Sequence, residues 1–326
     1  MDSLTQIALG ASVSAICVSA QDKRRAAILG AVLGTLPDLD VLISYADPID
    51  NFIEHRGFSH SLLVLIPLSI LIWFLGKKLS NRVANDPYPW LASITLALIT
   101  HPILDAHTVY GTQLFWPLNN PPSMWSTIFI IDPAYTLPLV IIALTVIIAP
   151  RWKATQKTLA IGLILSTSYL SWSWVAKILV VQKLASHMEV NEISSQKYFT
   201  VPTPFNTLLW RIVAMTPQGY YEGFYSLRKP NNPIKFRFVE IDPDAQAIAL
   251  NLDAYKKLNW FSHGFLKTEI INHQLIISDL RMGLEPDYVF RFAIGDRKNG
   301  EWHPIVPLKA GTRYDRSRLV EIFKMI

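Results

Sequence analysis

The chain has 326 residues, 51% of them hydrophobic and 17% charged, with a mean hydropathy of +0.26 and a formal net charge of +5. Charged residues make up about a quarter of an ordinary soluble domain, so this composition excludes a wholly soluble globular enzyme. The single cysteine, Cys17, excludes an internal disulfide framework.

Charge is unevenly spread. Residues 1–181 hold 11 Lys+Arg and 10 Asp+Glu, while 182–326 hold 19 and 15. The pattern predicts a helical integral membrane domain over 1–184 and a soluble α+β domain over 185–326. Six apolar stretches follow in order: 3–20, 26–43, 61–76, 90–107, 134–150 and 158–181. No basic region precedes the first, which argues against a cleaved signal peptide. Gly10 with Ser14, and Gly30 with Gly34, form small-xxx-small pairs that let helix backbones approach closely in lipid, although small residues are common in membrane helices anyway.

Nine of the eleven basic residues of the first part lie in "QDKRR" (21–25), "KKLSNR" (77–82) and "RWKATQK" (151–157). The positive-inside rule places these loops in the cytoplasm of a bacterial inner membrane. Six spans then put loops 44–60 and 108–133, and everything after 182, outside. That alternation gathers the polar residues. "LPDLD" brings Asp38 and Asp40 to the outer face, "EHRGFSH" brings His55, Arg56 and His60, and "HPILDAH" brings His101, Asp105 and His107. Ionisable residues in apolar segments are expensive and usually functional.

His101 and Asp105 are four apart and share a helix face, so they can bind one cation. His55 and His60 are five apart, so Gly57 must let the chain turn between them. Imidazole with carboxylate suits Zn²⁺, Mn²⁺ or Fe²⁺, with Zn²⁺ the first expectation, and the number of candidates leaves room for more than one ion. Arg56 can pair with a phosphate. Against this stand plainer roles: a helix cap for Asp38 or Asp40, a lipid-phosphate anchor for Arg56, and ordinary structural roles for His107 and Asp132. His55, His60, His101 and Asp105 taken together favour a metal.

In combination, "MDSLTQIALGAS", "LPDLD", "HRGFSHSLL", "HPILDAHTVYGTQLFWPL" and "IIDPAYTLPL" resemble the YdjM/YbcI family of bacterial inner-membrane proteins, described as metal-dependent hydrolases. The resemblance implies a helical metal site with Asp38, His55, His60, His101 and Asp105 as ligands and Asp40 as a further ligand or supporting group. Where relatives carry a histidine near the start, this chain has Gln6.

Beyond Leu184 the apolar runs give way to alternation. "PIKFRFVEI" puts Ile234, Phe236 and Phe238 on one strand face, "EIINHQLII" reads as a hairpin about Asn272–His273, and "DPDAQAIALNLDAYKKLNWF" reads as one helix. His263, His273 and His303 stand singly and read as structural or surface residues. There is no nucleic-acid signature.

Two functions compete, and a third, an ion transporter, is weaker because the ligands gather at one face instead of the midplane. One is a membrane-bound hydrolase of a phosphoester in a lipid or lipid-linked substrate, with Asp40 and Arg56 assisting. The other is a metal-stabilised module whose outer domain binds a partner.

Overall fold

Asp2 starts the first helix, α1 (Ser3–Cys17), by accepting from the Thr5 amide at 3.1 Å. The computed structural model describes residues 1–190, 195, 197–311 and 325. After α1 come α2 (Lys23–Thr35), a 3-10 turn over Pro37–Leu42, α3 (Pro48–Glu54), a second 3-10 turn over Phe58–His60, α4 (Leu62–Leu79), the short α5 (Asn81–Asn85), α6 (Pro87–Ala106), α7 (Pro133–Ile148) and the 36-residue α8 (Thr155–Val190).

Every apolar stretch contains a helix, but the expected six spans reduce to two clear ones. Among the described residues only Leu62–Leu79 and Thr155–Glu189 are long and apolar enough to cross a membrane. At 1.5 Å per residue, α1 (15 residues) and α7 (16 residues) reach only about 22–24 Å of the roughly 30 Å hydrocarbon thickness. The α2 helix opens on Lys23, Arg24 and Arg25, and α6 carries Ser93, Thr95, Thr100, His101 and Asp105.

The chain forms two compact units: Met1–Ile43 with His55–Trp174 and Pro204–Asn206, and Ser44–Glu54 with Val175–Thr203 and Thr207–Ile326. In the first, α1 packs on α2, α6 and α7. Ala8, Ala11 and Ala15 of α1 share a core with Leu104, Leu139 and Ile142. The small residues of α1 and α2 lie in backbone contact. A Cβ on Gly10 would stand 2.2 Å from the Gly30 carbonyl oxygen, and one on Gly34 would stand 2.7 Å from that of Gln6.

In the second unit, β1 (Lys197–Pro202), β2 (Leu209–Thr216), β3 (Gly219–Ser226) and β4 (Lys235–Glu240) form an antiparallel sheet in that order. Ile234 is buried, but Phe238 is exposed and leans on Tyr221. The single expected helix is two, α9 (Pro243–Ala249) and α10 (Asp253–Phe261), because Leu252 takes an extended backbone between Asn251 and Asp253. The rest is β5 (Leu266–Ile271), β6 (Gln274–Asp279), the small β7 (Gly283–Leu284) and β8 (Asp287–Tyr288) pair, β9 (Arg291–Lys298) and β10 (Glu301–Lys309). A second antiparallel sheet runs β10-β9-β6-β5. Asn272 and His273 make its expected tight turn, both with positive φ (51° and 64°).

One early segment belongs to this second unit. The α3 helix packs on α10 and β10, with Phe52 against Phe261 (4.9 Å between centroids) and Phe290 (4.2 Å), and Asp50 paired with Lys257.

The helix contact gives the first prediction. Gly30→Val drives a side chain into the Gly10 carbonyl and Ser14, an overpacking that costs about 1–3 kcal/mol or more. The detergent-solubilised variant should melt several degrees below wild type, whereas Gly311→Ala, with nothing within 4 Å, should not share that drop.

Candidate metal centre

At the C-terminal end of α2 the Leu36 amide serves the Val32 and Leu33 carbonyls, and Pro37, which has no amide proton to offer Gly34, starts a tighter turn that carries Asp38 and Asp40. The Gly34 carbonyl accepts from His101 Nδ1 of α6 at 2.6 Å. This bond fixes the ring and leaves Nε2 as the free donor atom. One turn further along α6, Asp105 presents its carboxylate on the same face.

His60 is oriented by a second relay. Ser59 Oγ donates its one proton to Asp40 Oδ2 at 2.6 Å, so it accepts from His60 Nδ1 at 2.9 Å. His60 Nε2 thereby faces the same point as His101 Nε2, 3.2 Å away. Around that point His60 Nε2 lies 3.5 Å from Asp38 Oδ1 and 3.4 Å from Asp105 Oδ2, and His101 Nε2 lies 3.4 Å and 3.5 Å from the same two atoms.

These five separations match a tetrahedron. Donor atoms bound 2.0–2.1 Å from a common centre stand about 3.3–3.4 Å apart. The sixth edge, Asp38 to Asp105, lies within 4.8 Å. A further observation favours a cation: Asp105 Oδ2 is buried and accepts no hydrogen bond, although Arg56 Nε is 3.2 Å away. Asp38, His60, His101 and Asp105 can therefore hold one metal ion, and they are the one group of this kind among the described residues.

The other candidates sit around this cluster. His55 is not a member of it: its Nδ1 is 2.8 Å from Asp40 Oδ1, and its ring stands edge-on to Tyr110. Asp40 is a hub for the loop, also accepting from the Arg56 amide at 3.0 Å. The Arg56 guanidinium is buried against Asp105, Thr108 and the Tyr110 ring, an interior counter-charge rather than a free phosphate clamp. Gln6 donates to Asp105 Oδ1 at 3.0 Å and to the His101 carbonyl. The Met1 amino group also contacts Asp105. His107 bonds to the Ile103 carbonyl and packs on Trp125, and Asp132 caps α7 while accepting from Tyr169; both take the plainer role. His263, His273 and His303 take no part in the cluster. Sequence reasoning passed over Ser59 and the Gly34 carbonyl; the signal for Ser59 was its place immediately before His60 in "GFSH".

Comparison with known proteins now bears on the same residues. A family model described as "YdjM inner membrane protein" matches residues 1–179. The chain belongs to this family. All four cluster residues, with Asp40, His55, Arg56 and Ser59, fall inside the matched region. Inner membrane protein YbcI of Escherichia coli (strain K12) is 29% identical over 158 residues, covering 48% of this chain and 80% of that protein. Family and relative both point to the inner membrane. No solved structure matches.

Protonation sets a pH dependence. Burial opposes charge on His60, but the neighbouring carboxylates Asp105, Asp38 and Asp40 outweigh it and raise its pKa to about 9. For Asp38 and Asp40, burial pushes upward and the imidazoles win, holding both carboxyls well below their usual range. A cation at His60 Nε2 thus displaces one proton while the two carboxyls stay ionised, so affinity rises with pH. Zn²⁺ titrated into metal-free protein should bind about tenfold more tightly per pH unit between pH 6 and 8. Ser59→Ala should weaken binding about 10–100-fold by releasing the His60 ring, and His60→Ala or Asp105→Ala should abolish it. Equal affinity in all of these proteins would refute the ligand set.

Proposed function

We propose that the chain is a membrane-bound metal-dependent hydrolase acting on a phosphoester of a lipid or lipid-linked substrate, its metal held by Asp38, His60, His101 and Asp105. The observation that carries this reading is the near-tetrahedral set of donor distances. Mixed imidazole and carboxylate donors suit Zn²⁺ first, then Mn²⁺ or Fe²⁺. When bound, such an ion supplies Lewis-acid polarisation of a phosphoryl oxygen and makes water more acidic.

The remaining work falls to the chain. Asp38, 19% exposed where the other three donor side chains are at most 1% exposed, is the edge that a substrate reaches. Asp40 holds the partly exposed His55 ring through Nδ1, leaving its Nε2 to exchange a proton with the leaving group. Arg56 balances the charge of Asp105.

The burial of three donors favours a second reading, a closed metal site that only stabilises the bundle. One experiment separates the two. Purified protein loaded with Zn²⁺ or Mn²⁺ should release phosphate or headgroup from a mixed lipid extract, and metal-free His101→Ala should release none. One bound metal with no release from any lipid class assigns the site to structure.

The same reading sets the topology. The basic loops at 77–82 and 151–157 lie in the cytoplasm, so α4 and α8 both run between that side and the outer face, where the site and the C-terminal domain lie. Reporter fusions after Lys78 and Lys153 should report cytoplasm, and one after Gly264 the outer side. A cytoplasmic signal after Gly264 would overturn the arrangement.

A further inference from the structure

Exposed, uncharged side chains ring the two turns that carry Asp38 and His60. Leu39 and Leu42 (78% exposed) flank Asp40 on the first turn, and Phe58 opens the second, which packs on the first. Phe115, Trp116 and Leu118 continue the surface. Backbone bonds hold that segment along residues 56–62: the Gln113 amide donates to the Arg56 carbonyl at 3.0 Å, and the Leu62 amide to the Leu114 carbonyl at 2.9 Å. Ser61 Oγ donates to the Trp116 carbonyl at 2.7 Å, and the Phe58 and Trp116 rings meet edge-on at 6.2 Å.

Two features say what covers this surface. Neither 57–76 nor 108–131 contains a single Asp, Glu, Lys or Arg. A long irregular segment facing water normally carries charge, whereas uncharged chain with Trp and Leu at a helix mouth is the composition of the lipid headgroup boundary. The ring is also continuous with α4, which begins two residues after His60 and leaves Leu63, Ile66 and Ile70 exposed along an apolar helix that only hydrocarbon satisfies.

We infer that this collar is inserted among the acyl chains of the bilayer, so that the opening at Asp38 lies at headgroup level and admits an amphiphile laterally from the membrane rather than a soluble ester from water. The substrate side of this inference rests on the proposed hydrolytic function; the position of the collar does not. A headgroup then reaches Asp38 and His55 while its chains stay on Leu42, Phe58 and Trp116, without leaving hydrocarbon.

The test uses the full chain with Cys17→Ser, carrying Leu42→Cys, Phe115→Cys or Leu118→Cys with a nitroxide label, in vesicles of phosphatidylethanolamine and phosphatidylglycerol. Accessibility to oxygen and to a water-soluble nickel chelate is compared with Ile70→Cys as the lipid reference and Val306→Cys, on β10, as the water reference. Collar labels should give oxygen-to-nickel ratios between those of Ile70 and Val306 and several-fold above that of Val306, with bound Zn²⁺ equal to wild type as the check on folding. Ratios like that of Val306 overturn the inference. Shielding from both reagents also overturns it and assigns the collar to a protein partner or a second copy. Failure of the hydrolytic reading shows separately, as absent ester release while the labels still report lipid.

Discussion

A fully buried carboxylate in an apolar helix bundle is the constraint on which the first unit depends. Asp105 cannot stand alone there, because an unpaired buried charge costs several kcal/mol. Its two oxygens accordingly draw partners from separate parts of the chain: Gln6 of α1 on one side, and Arg56, His60 and His101 on the other. Meeting that demand fixes where α1 begins against α6 and where the loop before α4 must lie. Arg56 holds a positive φ of 67° to reach the position, with its amide anchored on Asp40 and its carbonyl on Gln113.

The glycine contact between α1 and α2 is a precondition of the same arrangement. With no Cβ at Gly10, Gly30 or Gly34, the two helices close to backbone distance, and Ser14 reaches the Ser93 carbonyl of α6. That approach brings the last turn of α2 to α6, so the Gly34 carbonyl can hold His101. Helix packing and ligand orientation are here one constraint.

Much of this was legible in the chain. The i, i+4 spacing of His101 and Asp105 is helix geometry and needs no tertiary information. The basic loops and apolar runs located the helices, and the Asn272–His273 hairpin followed from local turn chemistry. The assignment of His55 was not legible in the same way. His55 and His60 flank a turn whose direction is set by Asp40, fifteen residues earlier, and spacing alone cannot say which ring faces inward. The role of Arg56 was hidden for the same reason, since its partner Asp105 lies in another helix. Span counting overreached because it counted apolar stretches between basic loops even where they are short: α1 and α7 have 15 and 16 residues, and α1 also carries Thr5, Gln6, Ser12 and Ser14. The break between α9 and α10 rests on one extended residue, Leu252, inside a helix-like pattern.

Segment 44–54 sets a schedule for biosynthesis. It joins Asp40 to His55, yet its anchor, Phe52, packs on Phe261, Phe290 and Phe292. On a ribosome adding about 5–20 residues per second, the roughly 240 residues from Phe52 to Phe292 take on the order of ten to fifty seconds. Once Asp105 has been made, the four residues of the candidate site all exist, while the loop that joins Asp40 to His55 still lacks its packing surface. The segment that joins Asp40 to His55 therefore gains its aromatic packing partners only near the end of translation, once Phe292 has been made.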